Sequence, residues 1–203
     1  MYKLVRQDLW ELKQSEKICA IDLDECLCCY IDEWLKFINS KLGTHYDNLF
    51  EAKKSIPYQT YKDLKEDYRT CGVKEHLQLK PFAKEFMYGL KKLGYMIVII
   101  SKRPVWLYPT LYRQTVSWLV NNKIPWDGLV FDDQKHVRIV SDLPHLKFFV
   151  EDHRYYVNLV AKWGYRAYLL NTKYNQGELH PNVLRVNNLL EILEDVKRGT
   201  KTK

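Results

Sequence analysis

The amino-acid sequence predicts an α/β protein: an open parallel sheet covered by helices on both faces, with a smaller helical segment inserted after the first strand. Short apolar runs alternate with stretches of helical periodicity along most of the chain, the pattern of parallel strands joined by crossover helices. The runs Ile18–Ile21 and Met96–Ile100 are apolar throughout, as strands buried on both faces must be. Residues 44–80 carry no strong strand signal and are too long for a plain loop in a compact domain, so they read as an insertion that folds over something.

Taken in order, residues 5–12 read as a short helix or a lead-in. The first strand follows at 18–21. Ile31, Trp34, Leu35, Ile38 and Leu42 share one helical face, and Gly43 can cap that helix. Segments 47–54 and 58–69 read as short helices split by Pro57. Pro81 is placed to open a helix whose face carries Phe82, Phe86, Leu90 and Leu93, ended by Gly94. After the Met96–Ile100 strand, a helix is predicted from Pro109 to Asn122, with Leu111, Val116, Leu119 and Val120 as its apolar positions. Leu129–Phe131 reads as a third strand, and residues 137–146 as a short helix or irregular turn. Strands are predicted at Phe148–Val150, Arg166–Leu170 and Val183–Val186. A helix spans 154–163 between the first two of these. Asn187 or Asn188 can cap a last helix through Val196, before a lysine-rich tail after Arg198.

The 203 residues suit one domain, or one domain with a large insertion, and can bury a substantial core. The formal charge of +7 is compatible with phosphate-bearing ligands or nucleic acid, and equally with a basic surface. No apolar run approaches membrane-spanning length, and the N-terminus is polar, without a secretory signal. The cysteines are Cys19, Cys26, Cys28, Cys29 and Cys71, an odd count that points to free thiols in a reduced, cytoplasmic protein. A zinc site on Cys26-x-Cys28-Cys29 would need a second ligand pair, and none is evident.

The chemistry concentrates at strand ends. Asp22 and Asp24 close the first strand, where ligands bind in open α/β sheets. They read either as a turn with two solvated aspartates or as a divalent-cation site, since buried carboxylates need a partner and Mg²⁺ prefers oxygen donors. The second strand ends in Ser101-Lys102-Arg103-Pro104. Lys135 lies beyond the third, and the fourth ends in Glu151-Asp152. Right-handed crossovers bring all these ends to one edge of the sheet. Carboxylates, a hydroxyl and an amine converging there suit phosphoryl transfer.

These motifs resemble those of the haloacid dehalogenase-like phosphohydrolase superfamily. Its first motif, an apolar strand ending in Asp-x-Asp-x-Thr/Val, is matched by Asp22-Leu23-Asp24-Glu25-Cys26. The strand ending in Ser or Thr is matched by Ile97–Ser101, the lysine by Lys135, and the acidic pair by Glu151-Asp152. The resemblance spans residue 18 to about 190 and implies a Rossmann-like three-layer fold, with core segments 1–28 and 91–203 and a helical cap at 29–90. It implies Asp22 as nucleophile, Asp24 as general acid and base, and Mg²⁺ held by Asp22, Asp24, Asp152 and Glu151. Ser101 and Lys135 would bind phosphate, with Lys102 and Arg103 as further candidates; Lys102 and Lys147 rival Lys135. Cys26 stands where Thr or Val is usual. Glu25 stands where Gly is common, and adds charge near the site.

Within the superfamily the sequence is most similar to the 5′-nucleotidases and deoxyribonucleotidases and their bacterial and phage relatives. The insertion, the Ser101–Pro104 turn and Asn171-Thr172-Lys173-Tyr174-Asn175 carry that likeness. It implies a Mg²⁺-dependent phosphatase acting on a nucleoside 5′-monophosphate or a similar small metabolite. A nucleic-acid 3′-end phosphatase and a catalytically inactive binding protein are the alternatives. Arg103 could bind phosphate or pair with a carboxylate. His153 could touch substrate or cap a helix. Tyr46, Phe50, Tyr58, Tyr61 and Tyr68 could stack on a base or pack the cap helices together. Trp106, Tyr108 and Tyr112 could line the mouth of the site.

Overall fold

The computed structural model describes residues 15–201; the stretch 5–12 and the end of the lysine-rich tail lie outside them. Six strands form one parallel sheet: β1 (Ile18–Asp22), β2 (Met96–Ser101), β3 (Gly128–Phe131), β4 (Leu146–Glu151), β5 (Arg166–Leu170) and β6 (Val183–Val186). Their order is β3-β2-β1-β4-β5-β6. The order reverses at β1, which pairs with β2 on one side and β4 on the other. That reversal opens a crevice beyond the carboxyl end of β1. Asp22 sits at this end, in register with Ile100, one residue short of Ser101.

Alternate residues of each strand face opposite sides, so the sheet divides the apolar core in two. Cys19, Ile21, Ile97, Ile99, Phe148 and Val150 pack with Phe86 and Leu90 of α4 (Ala83–Lys92), Trp118 and Leu119 of α5 (Thr110–Asn121) and Ile192 of α8 (Leu189–Lys201). Ile18, Ala20, Val98, Ile100 and Phe149 pack with Ile139 of α6 (Lys135–Asp142) and Val157 and Val160 of α7 (Arg154–Lys162).

Between β1 and β2 lie α1 (Tyr30–Leu42), α2 (Leu49–Ser55), α3 (Tyr58–Thr70) and a 3₁₀ turn at Val73–Glu75. Each is bounded as its sequence directs. Gly43 adopts φ 64° after α1, and the side chain of Asn48 accepts the Glu51 amide at the start of α2. Trp34 packs against Tyr61 and Tyr68 with ring centroids 5.7 and 4.8 Å apart, so these tyrosines join the helices to one another. Phe50 and Tyr58 are exposed.

Several boundaries differ from the sequence expectation. Pro81 does not open α4: it occupies a turn in which the Ala83 amide donates to the Lys80 carbonyl, and Phe82, at φ 65°, points into solvent. On α5, Val120 is exposed and Trp118 is buried, because positions 111, 115, 118 and 119 share the inner face. Lys135 is the first residue of α6 rather than part of a loop. The last helix runs past Val196 to Lys201, and Asn188 caps it by accepting the amides of Leu190 and Glu191.

Candidate active site

The ends of β1, β2 and β4 and the start of α6 meet in one cavity of about 390 Å³, lined among others by Asp22, Asp24, Ser101, Lys102, Lys135, Glu151 and Asp152. A larger cavity of about 540 Å³ lies between α7 and residues 174–180, and none of these strand-end acids lines it.

Asp22 is buried, and Lys135 Nζ donates to its Oδ1 at 2.6 Å and to Glu151 Oε2 at 2.5 Å. The other Glu151 oxygen accepts the amides of Asp152 and His153, both at 3.2 Å. Burial would lower the Lys135 ammonium, but Asp22 and Glu151 outweigh it and keep the ammonium protonated. Burial raises the Asp22 carboxyl further than Lys135 lowers it; burial, then the Asp22 charge, raises Glu151. One cation thus serves two buried carboxylates, with Asp152 beside them. Asp152 Oδ2 accepts the Tyr174 hydroxyl at 2.5 Å, and its main-chain carbonyl accepts Asn175 Nδ2 at 2.7 Å. Ser101 is buried, and its Oγ accepts the Arg103 amide at 3.3 Å.

Two residues along the chain the balance reverses. Arg103 grips Asp24, donating from Nη2 at 2.6 Å to Oδ1 and from Nε at 3.2 Å to Oδ2, and its Nη1 bonds Thr115. Lys74, from the 3₁₀ turn of the insertion, approaches Asp24 Oδ2 at 3.4 Å. Burial would raise the Asp24 carboxyl, but Arg103 and then Lys74 hold it well below the usual carboxylate range. Arg103, expected among the phosphate-binding groups, is therefore taken up by Asp24 and does not line the 390 Å³ cavity.

The donor atoms of Asp22, Cys26 and Asp152 lie within 4.8 Å of one another. The surplus negative charge there, and carboxylate oxygens without a second cation, fit a hard divalent cation. Burial, then Asp22, pushes the Cys26 thiol well above its ordinary value, so it stays neutral and fills space, as Val would.

Glu25 lines the cavity, and its carboxylate is held by a main-chain amide and by Lys80. Its backbone is left-handed at φ 66°, the conformation that makes Gly common at such a position. Its Oε1 accepts the Ile31 amide at 2.6 Å, and its Oε2 accepts Lys80 Nζ at 2.5 Å. Lys147 is exposed near the start of β4, away from the cavity. Lys102 donates to the Tyr156 hydroxyl at 2.6 Å. His153 lines the cavity and makes no side-chain cap to α7. Tyr108 lies under Arg69 and Tyr112 packs on Phe131, while Trp106 is half exposed. Sequence reasoning missed Lys74 and the Tyr174–Asp152 bond. Lys74 carries no signal in a lysine-rich insertion, whereas Tyr174 lies in the 171–175 segment already singled out.

No protein-family model matches the chain, and no curated protein matches it. Solved structures are similar over most of their length. A D,D-heptose 1,7-bisphosphate phosphatase from Burkholderia thailandensis is 12% identical with TM-score 0.56, over 89% of this chain and 98% of that one. A D,D-heptose 1,7-bisphosphate phosphatase from B. bronchiseptica, complexed with magnesium and phosphate, is 11% identical with TM-score 0.57, over 90% and 99%. A haloacid dehalogenase-like family hydrolase from Streptococcus pneumoniae is 12% identical with TM-score 0.58, over 89% and 98%. At such identities the likeness is one of architecture: the chain has the Rossmann-like α/β fold of haloacid dehalogenase-like hydrolases.

Proposed function

We propose that the protein is a Mg²⁺-dependent phosphomonoesterase that works through an aspartyl-phosphate and acts on a small phosphorylated metabolite such as a nucleoside 5′-monophosphate. The observation that carries this is the single cavity into which four chain segments bring Asp22, Asp24, Ser101, Lys135, Glu151 and Asp152. Asp22, Asp152 and the main-chain carbonyl of Asp24 would hold the cation, with Glu151 in support. The cation supplies charge neutralisation of the phosphoryl oxygens.

An Asp22 oxygen attacks phosphorus, the bond to the leaving oxygen breaks, and that oxygen takes a proton from Asp24. A water then gives its proton to Asp24 and attacks phosphorus, releasing inorganic phosphate and free Asp22. Ser101 and Lys135 hold the remaining oxygens, with Lys102 at the rim. Asp24 rests as a carboxylate between Arg103 and Lys74, so its donor role starts when those cations turn to the substrate. Within residues 29–90, α1 to α3 and the 3₁₀ turn act as a cap that excludes water, while Phe86 and Leu90 of α4 pack on the sheet. Free thiols suit a reduced, cytoplasmic setting. Among the described residues no helix is long and apolar enough to cross a membrane.

A panel of nucleotides, sugar phosphates and p-nitrophenyl phosphate, assayed with and without Mg²⁺, tests this reading. Asp22→Asn is expected to lower turnover by about a thousandfold or more. Equal rates in wild type and variant would instead favour a binding protein without activity. The +7 charge supports a second reading, a nucleic-acid end phosphatase; faster release from a 3′-phosphorylated oligonucleotide than from mononucleotides would favour it.

A further inference from the structure

A second, smaller cavity of about 180 Å³ adjoins the first, and the two share Asp24, Tyr30 and Lys102. Its wall carries the side chains of Lys65, Arg69, Lys74, Lys102 and Arg103, with Asp24 as the acid among the lining residues. Asp24 pairs with Arg103 and Lys74. Among the described residues Lys65, Arg69 and Lys102 form no ion pair: Lys65 contacts the Tyr30 hydroxyl and lies 4.9 Å from the Trp34 ring centroid, Arg69 bonds the Tyr108 hydroxyl at 3.4 Å, and Lys102 bonds Tyr156. Cations gathered this closely repel one another unless an anion joins them. A separate observation points the same way. Tyr68 lines this cavity, is fully buried, and its hydroxyl has no hydrogen-bond partner among the described residues. A buried hydroxyl without a partner is costly, and an acceptor in the cavity would satisfy it.

The geometry points to a second anion subsite: the leaving group of the substrate carries a further phosphoryl group, which binds in this cavity while Asp22 attacks the first. The substrate class is a small bisphosphorylated compound, such as a nucleoside bisphosphate. This rests on the phosphomonoesterase reading for the role of Asp22, but not for the binding itself. Asp24 faces both cavities, so it stands between the two phosphoryl groups. The second group competes with Asp24 for Arg103 and Lys74. Lys65, Arg69 and Lys74 come from the insertion and Lys102 and Arg103 from the turn after β2, so the cap and the sheet edge set the preference together.

The test compares adenosine 3′,5′-bisphosphate with adenosine 5′- and 3′-monophosphates, and with a 5′-phosphorylated single-stranded oligonucleotide, in two arms. In the kinetic arm, kcat/KM for the bisphosphate is expected to exceed that of either monophosphate by about tenfold or more. Lys65→Met and Arg69→Met each shrink that ratio several-fold; thermal melts verify folding, and the second variant serves if the first does not fold. In the binding arm, calorimetry on Asp22→Asn is expected to give about tenfold tighter binding of the bisphosphate, lost in Asp22→Asn/Arg69→Met. A gain confined to the oligonucleotide keeps the subsite and assigns the second anion to a nucleic-acid backbone. Equal affinity for the monophosphates, the bisphosphate and the oligonucleotide overturns the subsite even where phosphatase activity is found. Absence of turnover with the binding preference intact overturns the phosphatase reading and leaves the subsite standing.

Discussion

Asp22 and Asp24 lie two residues apart on one strand end, yet their surroundings are opposite. Around Asp22, two buried carboxylates share the Lys135 ammonium and Asp152 adds a third, so the region is short of positive charge. Around Asp24, Arg103 and Lys74 meet one carboxylate, so the region has positive charge to spare. Identical side chains thus sit in acidic surroundings on one side and in cationic surroundings on the other. The lesson is that the role of a carboxylate is set by the elements packed against it: α6 and β4 for Asp22, and the turn after β2 with the inserted 3₁₀ turn for Asp24.

The contrast is broken most severely at its cations. Lys135→Met leaves Asp22 and Glu151 buried against each other and is expected to cost about 4 kcal/mol in urea unfolding. Arg103→Met should cost less, about 2 kcal/mol, because Lys74 and the Cys28 thiol still face Asp24. Adding Asp24→Asn should recover most of that second loss; an equal cost at both cations would remove the asymmetry.

Mg²⁺ sharpens it next. At about a hundredfold over its dissociation constant the ion should stabilise the wild type by about 2–3 kcal/mol in thermal unfolding. Asp152→Asn should abolish the gain, whereas Asp24→Asn, which keeps the main-chain carbonyl, should retain most of it. A gain that survives Asp152→Asn would place the cation elsewhere.

The pH dependence, without added cation, should differ in sign. The Asp22 carboxyl is raised on folding, so the native state holds its proton longer and stability falls as pH rises from the ordinary carboxylate range toward neutrality. The Asp24 carboxyl is lowered, so its contribution is present above that range and is lost only as pH falls through its depressed folded value. Relative to Asp22→Asn, the wild type should therefore lose stability between about pH 4 and about pH 7, by about 1–3 kcal/mol. Relative to Asp24→Asn it should not. Parallel curves would show that the two aspartates share one environment.

The smallest effect lies at the residue that follows Asp24. Glu25→Gly and Glu25→Ala both lose the contacts to Ile31 and Lys80, but only Ala keeps the strain of φ 66°. Gly should be the more stable of the two by about 1 kcal/mol in chemical unfolding.

Much of this was legible in the chain. Apolar runs such as Ile97–Ile100 and Ala167–Leu170 admit little but buried strands, and the acids and hydroxyl that close β1, β2 and β4 line the 390 Å³ cavity. Lys135 could be chosen over Lys147 by its place after a strand end, although not its position at the head of α6. Less legible were Pro81, Val120 and Glu25. A turn, the rotation of a helix and a left-handed residue depend on which neighbours are already in place.

By itself the sequence determined the parallel sheet, the insertion and the candidate acids, because hydrophobic period and strand-end chemistry are local properties. Only the tertiary structure decided how charge is shared among them. Arg103 could have faced solvent or phosphate, and its capture by Asp24 depends on the fold bringing the turn after β2 beside the turn after β1. Lys74 and the other cations of the 180 Å³ cavity lie more than forty positions from Asp24, where Coulomb attraction and burial act through space and leave no periodic trace along the chain.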